Sequence, residues 1–201
     1  MIMFNCPACG AQTNSTIQFT KLAVCKHCGN ILFLEDEAVR NAGIKSAIIE
    51  APSLFSLGQD YCYRGMNFMP VGRIQFDYGD GLWDEWWVIT DQGSGKWISV
   101  DEGEVAIETR IEKKIKLPNC NALMVGNKIT LLDQSLIITE VDDATCVAVD
   151  GELPEIIMPG EKHQYAHLSG KQNLLYTLEC FDGMKQLYKG TWIDAFDIEA
   201  L

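Results

Sequence analysis

Leu174-Leu175-Tyr176-Thr177-Leu178-Glu179-Cys180-Phe181, then Asp182-Gly183, then Met184-Lys185-Gln186-Leu187-Tyr188-Lys189: two β-prone runs flank an Asp-Gly pair near the end of the chain. An Asp-Gly pair in that setting is the strongest short hairpin signal, because both residues tolerate the positive φ angles of a two-residue turn. Working back from it, the same grammar recurs. Lys128 to Leu132 and Ser135 to Val141 flank Asp133-Gln134, and Thr145 to Val149 follows Asp142-Asp143. Earlier still, Met66 to Tyr78, broken at Pro70, leads through Asp80-Gly81 to Trp83 to Thr90. Lys96 to Val100 and Val105 to Ile111 follow. Short strands joined by turns, with no intervening helical period, predict an all-β chain of antiparallel strands in a barrel or sandwich over residues 54–201. Leu57-Gly58 and Val125-Gly126 open two similar series, so the domain divides on this reading into related halves, 54–117 and 118–201.

The start of the chain reads differently. Cys6-Pro7-Ala8-Cys9-Gly10 and Cys25-Lys26-His27-Cys28-Gly29 are two Cys-x2-Cys knuckles separated by fifteen residues. Each knuckle can aim two sulfurs at one point, and the following glycine lets the backbone curl behind them. Two knuckles make a tetrahedron, so Cys6, Cys9, Cys25 and Cys28 are the candidate ligands of a structural Zn2+, with no open position for catalysis. A zinc ribbon over residues 1–34 is expected, with strands at Ile17 to Val24 and Ile31 to Leu34. So short a segment buries too little apolar surface to fold unaided. Residues 35–53 read as a linker, with one or two helical turns from Glu35 to Gly43. The four scattered cysteines, Cys62, Cys120, Cys146 and Cys180, read as reduced core residues.

Trp83-Asp84-Glu85-Trp86-Trp87 is the most unusual segment. On a strand, alternate side chains share a face. Trp83, Glu85 and Trp87 therefore point one way and Asp84 and Trp86 the other, with Trp97 on the next strand placed to pack beside them. Aromatic walls with acids suit either a packed core or a cationic, amine-bearing ligand, and all six residues are ligand-binding candidates. His163 and His167 read as loop or edge residues. No phosphate loop, nucleophile elbow or dinucleotide fingerprint is present.

The 201 residues carry 16 basic and 28 acidic side chains, a net charge of −12. The first 34 hold Lys21 and Lys26 and no acid, so the acidity lies entirely beyond them. Phosphate-driven nucleic-acid binding needs clustered cations, and this composition disfavours it. No run of about 18 apolar residues predicts a membrane span, and no secretory signal is visible, so a cytoplasmic setting is expected.

Gly72-Arg73-Ile74-Gln75-Phe76, Trp83-Asp84-Glu85-Trp86, Trp97-Ile98-Ser99 and Val149-Asp150-Gly151-Glu152-Leu153-Pro154 resemble, in order, the bacterial family known as domain of unknown function 4178, over roughly residues 54–200. One departure is Val105, where an aromatic residue is often expected. The resemblance implies a β-rich accessory protein, in some members preceded by a zinc ribbon, encoded beside membrane-stress and polyamine-synthase-like genes. It assigns no catalytic residue. The expected function is a non-enzymatic accessory or scaffold protein with a protein partner. The rivals are a binder of a small cation at the tryptophan strand, an enzyme using Glu85 or Asp84 with His163 or His167, and a nucleic-acid-binding ribbon.

Overall fold

The structure, a computed structural model, describes residues 2–15, 19–35 and 38–201. It is all-β, with no α-helix among the described residues. The N-terminal module holds β1 (Ile2–Asn5) paired with β2 (Gln12–Ser15), and a second sheet of β3 (Leu22–Val24), β4 (Asn30–Glu35) and β5 (Ala38–Lys45). Of the strand expected from Ile17 to Val24, the described residues 19–24 form a strand at Leu22–Val24; Ile17 and Gln18 lie outside the described residues. The helical turns expected from Glu35 to Gly43 are corrected. Asp36 and Glu37 lie outside the described residues, and Ala38–Lys45 is a strand. Its backbone groups pair with β4, which outweighs the local helix preference of Ala38 and Arg40. Residues 46–50 are pinned rather than free: the Val149 N–H donates to Ser46 Oγ at 2.7 Å and the Ile49 N–H to Gln75 Oε1 at 2.8 Å.

The remaining strands are β6 (Tyr61–Tyr63), β7 (Met66–Asp77), β8 (Leu82–Thr90), β9 (Gly95–Asp101), β10 (Glu104–Arg110), β11 (Lys128–Leu131), β12 (Gln134–Leu153), β13 (Lys162–Ser169), β14 (Leu174–Phe181), β15 (Met184–Ile193) and β16 (Ile198–Ala200). Two antiparallel meanders, β7-β8-β9-β10 and β12-β13-β14-β15, join at both edges, β10 to β15 and β7 to β12. The result is a closed barrel of eight strands, and neither meander closes alone. Eight strands enclose an interior that side chains fill, or that holds one small ligand. The expected hairpin is present: Phe181 faces Met184 across Asp182 (φ 46°) and Gly183 (φ 74°). The acid pair Asp142-Asp143, read as a break, sits in mid-strand, because β12 runs 20 residues without interruption. Pro70 is absorbed by a register shift between Pro70 and Gly72, so β7 stays continuous.

Gly72 and Gly151 face each other across the β7–β12 seam. A Cβ on Gly72 would overlap the Glu152 carbonyl, and one on Gly151 the Val71 carbonyl. The seam closes only because both lack side chains.

Apolar side chains fill both sides of the barrel wall. Outside, Phe68, Trp86, Val88, Ile98, Val105 and Ile107 are covered by Phe55, Tyr61 and the C-terminal Ile198. On another outer face, Leu136, Ile138, Leu168, Tyr176, Leu178 and Leu187 are covered by the chain around Cys120. At one end, Leu22, Val24 and Ile31 of the module share a cluster with Ile74, Val149, Leu153, Ile157 and Tyr188. Each buried side chain of this size contributes about 1.5–3 kcal/mol. Polar bonds reinforce that junction: Ser15 Oγ and Thr20 Oγ1 donate to Glu152 Oε2 at 2.6 and 2.8 Å. β12 also pairs with β3, so the module's sheet continues the barrel's own.

The expectation of four reduced cysteines holds for Cys62 and Cys146 and is corrected for the other two. Cys120 and Cys180 form a disulfide that fastens the 112–127 excursion to β14. Sequence alone could not pair two cysteines 60 positions apart.

Candidate metal centre and barrel cavity

In the module, two turns bring four sulfurs together. Gly10 (φ 75°) and Gly29 (φ 71°) follow Cys9 and Cys28 in the left-handed region, and their N–H groups donate to the carbonyls of Cys6 and Cys25, each at 2.8 Å. Cys6, Cys9, Cys25 and Cys28 then place their Sγ atoms within 4.8 Å of one another. The Cys6–Cys28 and Cys9–Cys25 sulfur pairs are each 3.8 Å apart. A tetrahedron with Zn–S bonds of about 2.3 Å has sulfurs about 3.8 Å apart, so the spacing fits a zinc-sized ion. The thiols differ sharply. The Asn30 N–H, then its side-chain amide, draw Cys28 down to about 6. Cys9 receives the Ala11 N–H, yet burial and the neighbouring sulfurs push it up to about 12. Four thiolates so close together need a cation among them, and the cluster could hold a metal ion.

On the tryptophan strand, the two faces part completely. Trp83, Glu85 and Trp87 point into the barrel with Trp97, whose ring lies 5.0 Å from that of Trp87. Asp84 and Trp86 point outward. Trp86 is 1% exposed within the outer apolar cluster. Asp84 takes both forks of Arg73 at 2.8 and 2.7 Å, and that guanidinium lies 4.9 Å over the Trp86 ring. Asp84 and Trp86 are thus engaged outside the wall, away from the cavity.

Alternation along each strand decides what enters the lumen, and what enters is acidic. An inner chamber is lined by Glu85, Glu108, Glu155, Glu179, His163 and Tyr188 among others. An outer chamber shares Glu85 and Glu179 and adds Asp101, Glu104, Glu140 and His167. No lysine or arginine lines either chamber. Counted as room for the centre of a water molecule, the inner chamber is about 20 Å³ and the outer about 60 Å³. On that measure one water takes roughly 10–15 Å³, so the path is narrow. The outer chamber shares Glu104, Glu140, His167 and Trp192 with an open groove bordered by Asp194 and Phe196.

The carboxyls resist ionisation. Glu85 is pushed up to about 8 by burial, then by the charge of Glu108, against a 3.0 Å hydrogen bond from Ser99 Oγ. Burial also raises Glu108, which accepts from Thr177 Oγ1 at 2.8 Å, and Glu155. Glu179 is raised well above the usual carboxylate range, by burial and then the charge of Glu155. At the mouth the sign reverses: Glu140 is lowered by its 2.7 Å bond to His167 Nδ1 and also accepts from Tyr165 Oη at 2.7 Å.

His163 and His167 are not loop or edge residues; both lie on β13, between β12 and β14, facing the lumen. His163 is 7% exposed and stacks on Phe181, and burial lowers it to about 4, leaving it neutral. Its Nε2 has no hydrogen-bond partner among the described residues; the nearest acid, Glu161, stands 3.8 Å away. The convergence of Glu85 with His163 and His167 was sought from the sequence, and both meet it in the chambers. Glu108, Glu155 and Glu179 were missed. For Glu108 and Glu179 the signal was present: each is a carboxylate in a β-prone run, which reads as the solvent face of a strand unless the barrel closes; Glu155 lies in the connection after β12, where strand alternation gives no signal.

Among the described residues, only the four cysteines bring together a metal-ligand set. No helix is long and apolar enough to cross a membrane. The family described as a domain of unknown function (DUF4178) matches residues 56–195. No curated protein and no solved structure matches.

Proposed function

The chain belongs to the DUF4178 family, and from that premise we propose that it is a non-enzymatic binding protein that takes a small organic cation into its barrel and carries a zinc ribbon as a docking module for a protein partner. The observation that carries this reading is the lumen: carboxylates from β8, β10 and β14, with no lysine or arginine among its lining residues. A buried acid without a countercharge is unfavourable to fold around, and its presence makes sense when a cation completes the site. The aromatic lining, Trp83 and Trp97, suits an ammonium carried on an apolar stem. A bacterial, cytoplasmic setting in a membrane-stress or polyamine-linked system, as the family resemblance implies, is compatible with an amine as ligand.

The zinc ribbon half of the proposal rests on the sulfur spacing. In it Cys6, Cys9, Cys25 and Cys28 hold the ion and Asn30 Nδ2 donates to Cys28 Sγ at 3.2 Å. Elemental analysis of the purified chain is expected to give one zinc per molecule. For the barrel, a thermal-shift series at neutral pH is expected to raise the melting temperature with alkylammonium salts and not with the matching tetraalkylammonium or sodium salts. Absence of any shift with every primary ammonium ion would remove the reading.

A second reading has one observation in its favour. Glu85, held protonated near neutrality, meets His163 and His167 in one lumen, which is the arrangement of a proton donor beside imidazoles. Turnover of an amine-bearing substrate that Glu85→Gln abolishes, with binding retained, would favour it over the binding protein.

A further inference from the structure

The lumen has two acidic stations, and they differ. The inner one is formed by Glu85, Glu108, Glu155 and Glu179 beside the apolar cluster shared with the module. The outer one is formed by Asp101, Glu104 and Glu140 near the open groove. Glu85 and Glu179 line both chambers, so the two are neighbours along the lumen. The outer chamber, which reaches back to Glu85 and Glu179, has an aromatic wall: Trp83 lies 5.0 Å from Tyr165, edge to face. We infer that the ligand is a linear aliphatic diamine, with one ammonium among Glu85, Glu108 and Glu179, its methylene chain along Trp83 and Tyr165, and its second ammonium at Asp101, Glu104 and Glu140. This rests on the reading of the barrel as a cation binder and deepens it.

Three observations point past an acidic cluster as such. First, His163 is buried, lines the inner chamber, and leaves Nε2 without a hydrogen-bond partner among the described residues. A neutral imidazole nitrogen accepts a hydrogen bond from an ammonium, and an unmet buried acceptor carries a penalty that such a donor removes. Second, the acids do not gather about one point: among the described residues, only the cysteines form a metal-ligand group. Carboxylates strung along a tube suit charges separated by a spacer. Third, the chambers are small, about 20 and 60 Å³ counted as room for the centre of a water molecule, which favours a slender chain. A ring, a branched amine or a hydrated divalent ion needs more space at its widest point.

The proton balance is explicit. Burial raises Glu85, Glu108 and Glu179, and at about 8 Glu85 keeps its proton at neutral pH when the lumen is empty. The ammonium that enters the inner station pairs with one carboxylate there, so the one proton which that group carried, at Glu85, passes to solvent. The outer station is already ionised at Glu140 and releases none there.

Calorimetric titration of the full, zinc-loaded chain with diaminobutane and diaminopentane, against butylamine and pentylamine, tests the inference. Diamines are expected to bind at least about tenfold more tightly than the monoamine of equal chain length. Glu140→Gln is expected to weaken the diamine towards the monoamine and to leave the monoamine unchanged. Glu85→Gln is expected to weaken both. Equal affinity for diamine and monoamine would overturn the diamine and leave the cation binder standing. Binding of neither would remove both. Should Glu85→Gln fail to fold, Glu140→Gln at the half-buried mouth still decides, because a structural defect would weaken both amines alike.

Discussion

The cysteine module has too little apolar surface to close around, and its four sulfurs converge on a point that one cation can neutralise; the barrel has apolar side chains on both sides of its wall, yet lines its lumen with carboxylates and with no lysine or arginine. In the module the polar groups are the means of folding. In the barrel they oppose it and the packed outer faces carry them. Groups that make a fold are found where nothing else would hold it, whereas groups that burden a fold are found where something is to be bound.

The sharpest way to break the comparison is to remove the metal. Structural zinc contributes on the order of 10–16 kcal/mol in small modules. Chelation, or Cys25→Ser, is expected to abolish amide protection in β1 to β5 while β7 to β10 and β12 to β15 keep theirs, as read by hydrogen exchange. Equal loss in both regions would mean that the barrel too depends on the ion.

Next in size is the burden itself. The folded-state value of Glu85 lies near 8 and its unfolded value near 4.5. Between those pH values the folded chain keeps a proton that the unfolded chain has lost, so stability falls as pH rises through that window. The loss is full above the folded value and amounts to at most about 5 kcal/mol. Glu85→Gln is therefore expected to unfold at higher denaturant than the parent at pH 8 and at the same denaturant at pH 4. A variant less stable than the parent at pH 8 would show that the carboxylate is needed by the fold.

How much of this the sequence disclosed follows from what each signal depends on. Knuckle spacing is local, so Cys6, Cys9, Cys25 and Cys28 could be paired by inspection. Hairpin turns are local as well, and Asp182-Gly183 was legible for that reason. Closure is not local: nothing near Gly72 announces Gly151, 79 positions on by their numbering, as its partner. Without closure the inside of the barrel cannot be told from its outside. Trp86 and Glu85 could be assigned to opposite faces, but which of those faces was the lumen could not. The strand at Ala38–Lys45 was read as helix because its reason for being extended is β4, not its own composition.

A smaller effect separates the two regions by redox chemistry. The Cys120–Cys180 bond closes a loop of 60 positions, for which chain entropy gives about 4 kcal/mol. Mild reductant is expected to lower the barrel's unfolding midpoint while the ion proposed for the four cysteines stays bound, as followed by metal release. Zinc lost in step with the disulfide would join what the structure keeps apart. Smallest is the junction: Glu152→Gln removes the charge that Ser15 and Thr20 donate to, worth roughly 1–3 kcal/mol. It is expected to raise exchange in β3 without moving the barrel's midpoint.

β12 has one more consequence. It hydrogen-bonds β11, β13 and β7 along its length and gives its last residues, Glu152 and Leu153, to β3. A chain trimmed to begin at residue 54 would keep every barrel strand and still bare that terminal stretch, with Leu153 and Ile157 stripped of Leu22, Val24 and Ile31. An unpaired strand end beside a naked greasy surface recruits its own kind. The first 45 residues therefore cover that end of the barrel, and the trimmed chain is expected to elute as aggregates rather than as monomers in size-exclusion chromatography.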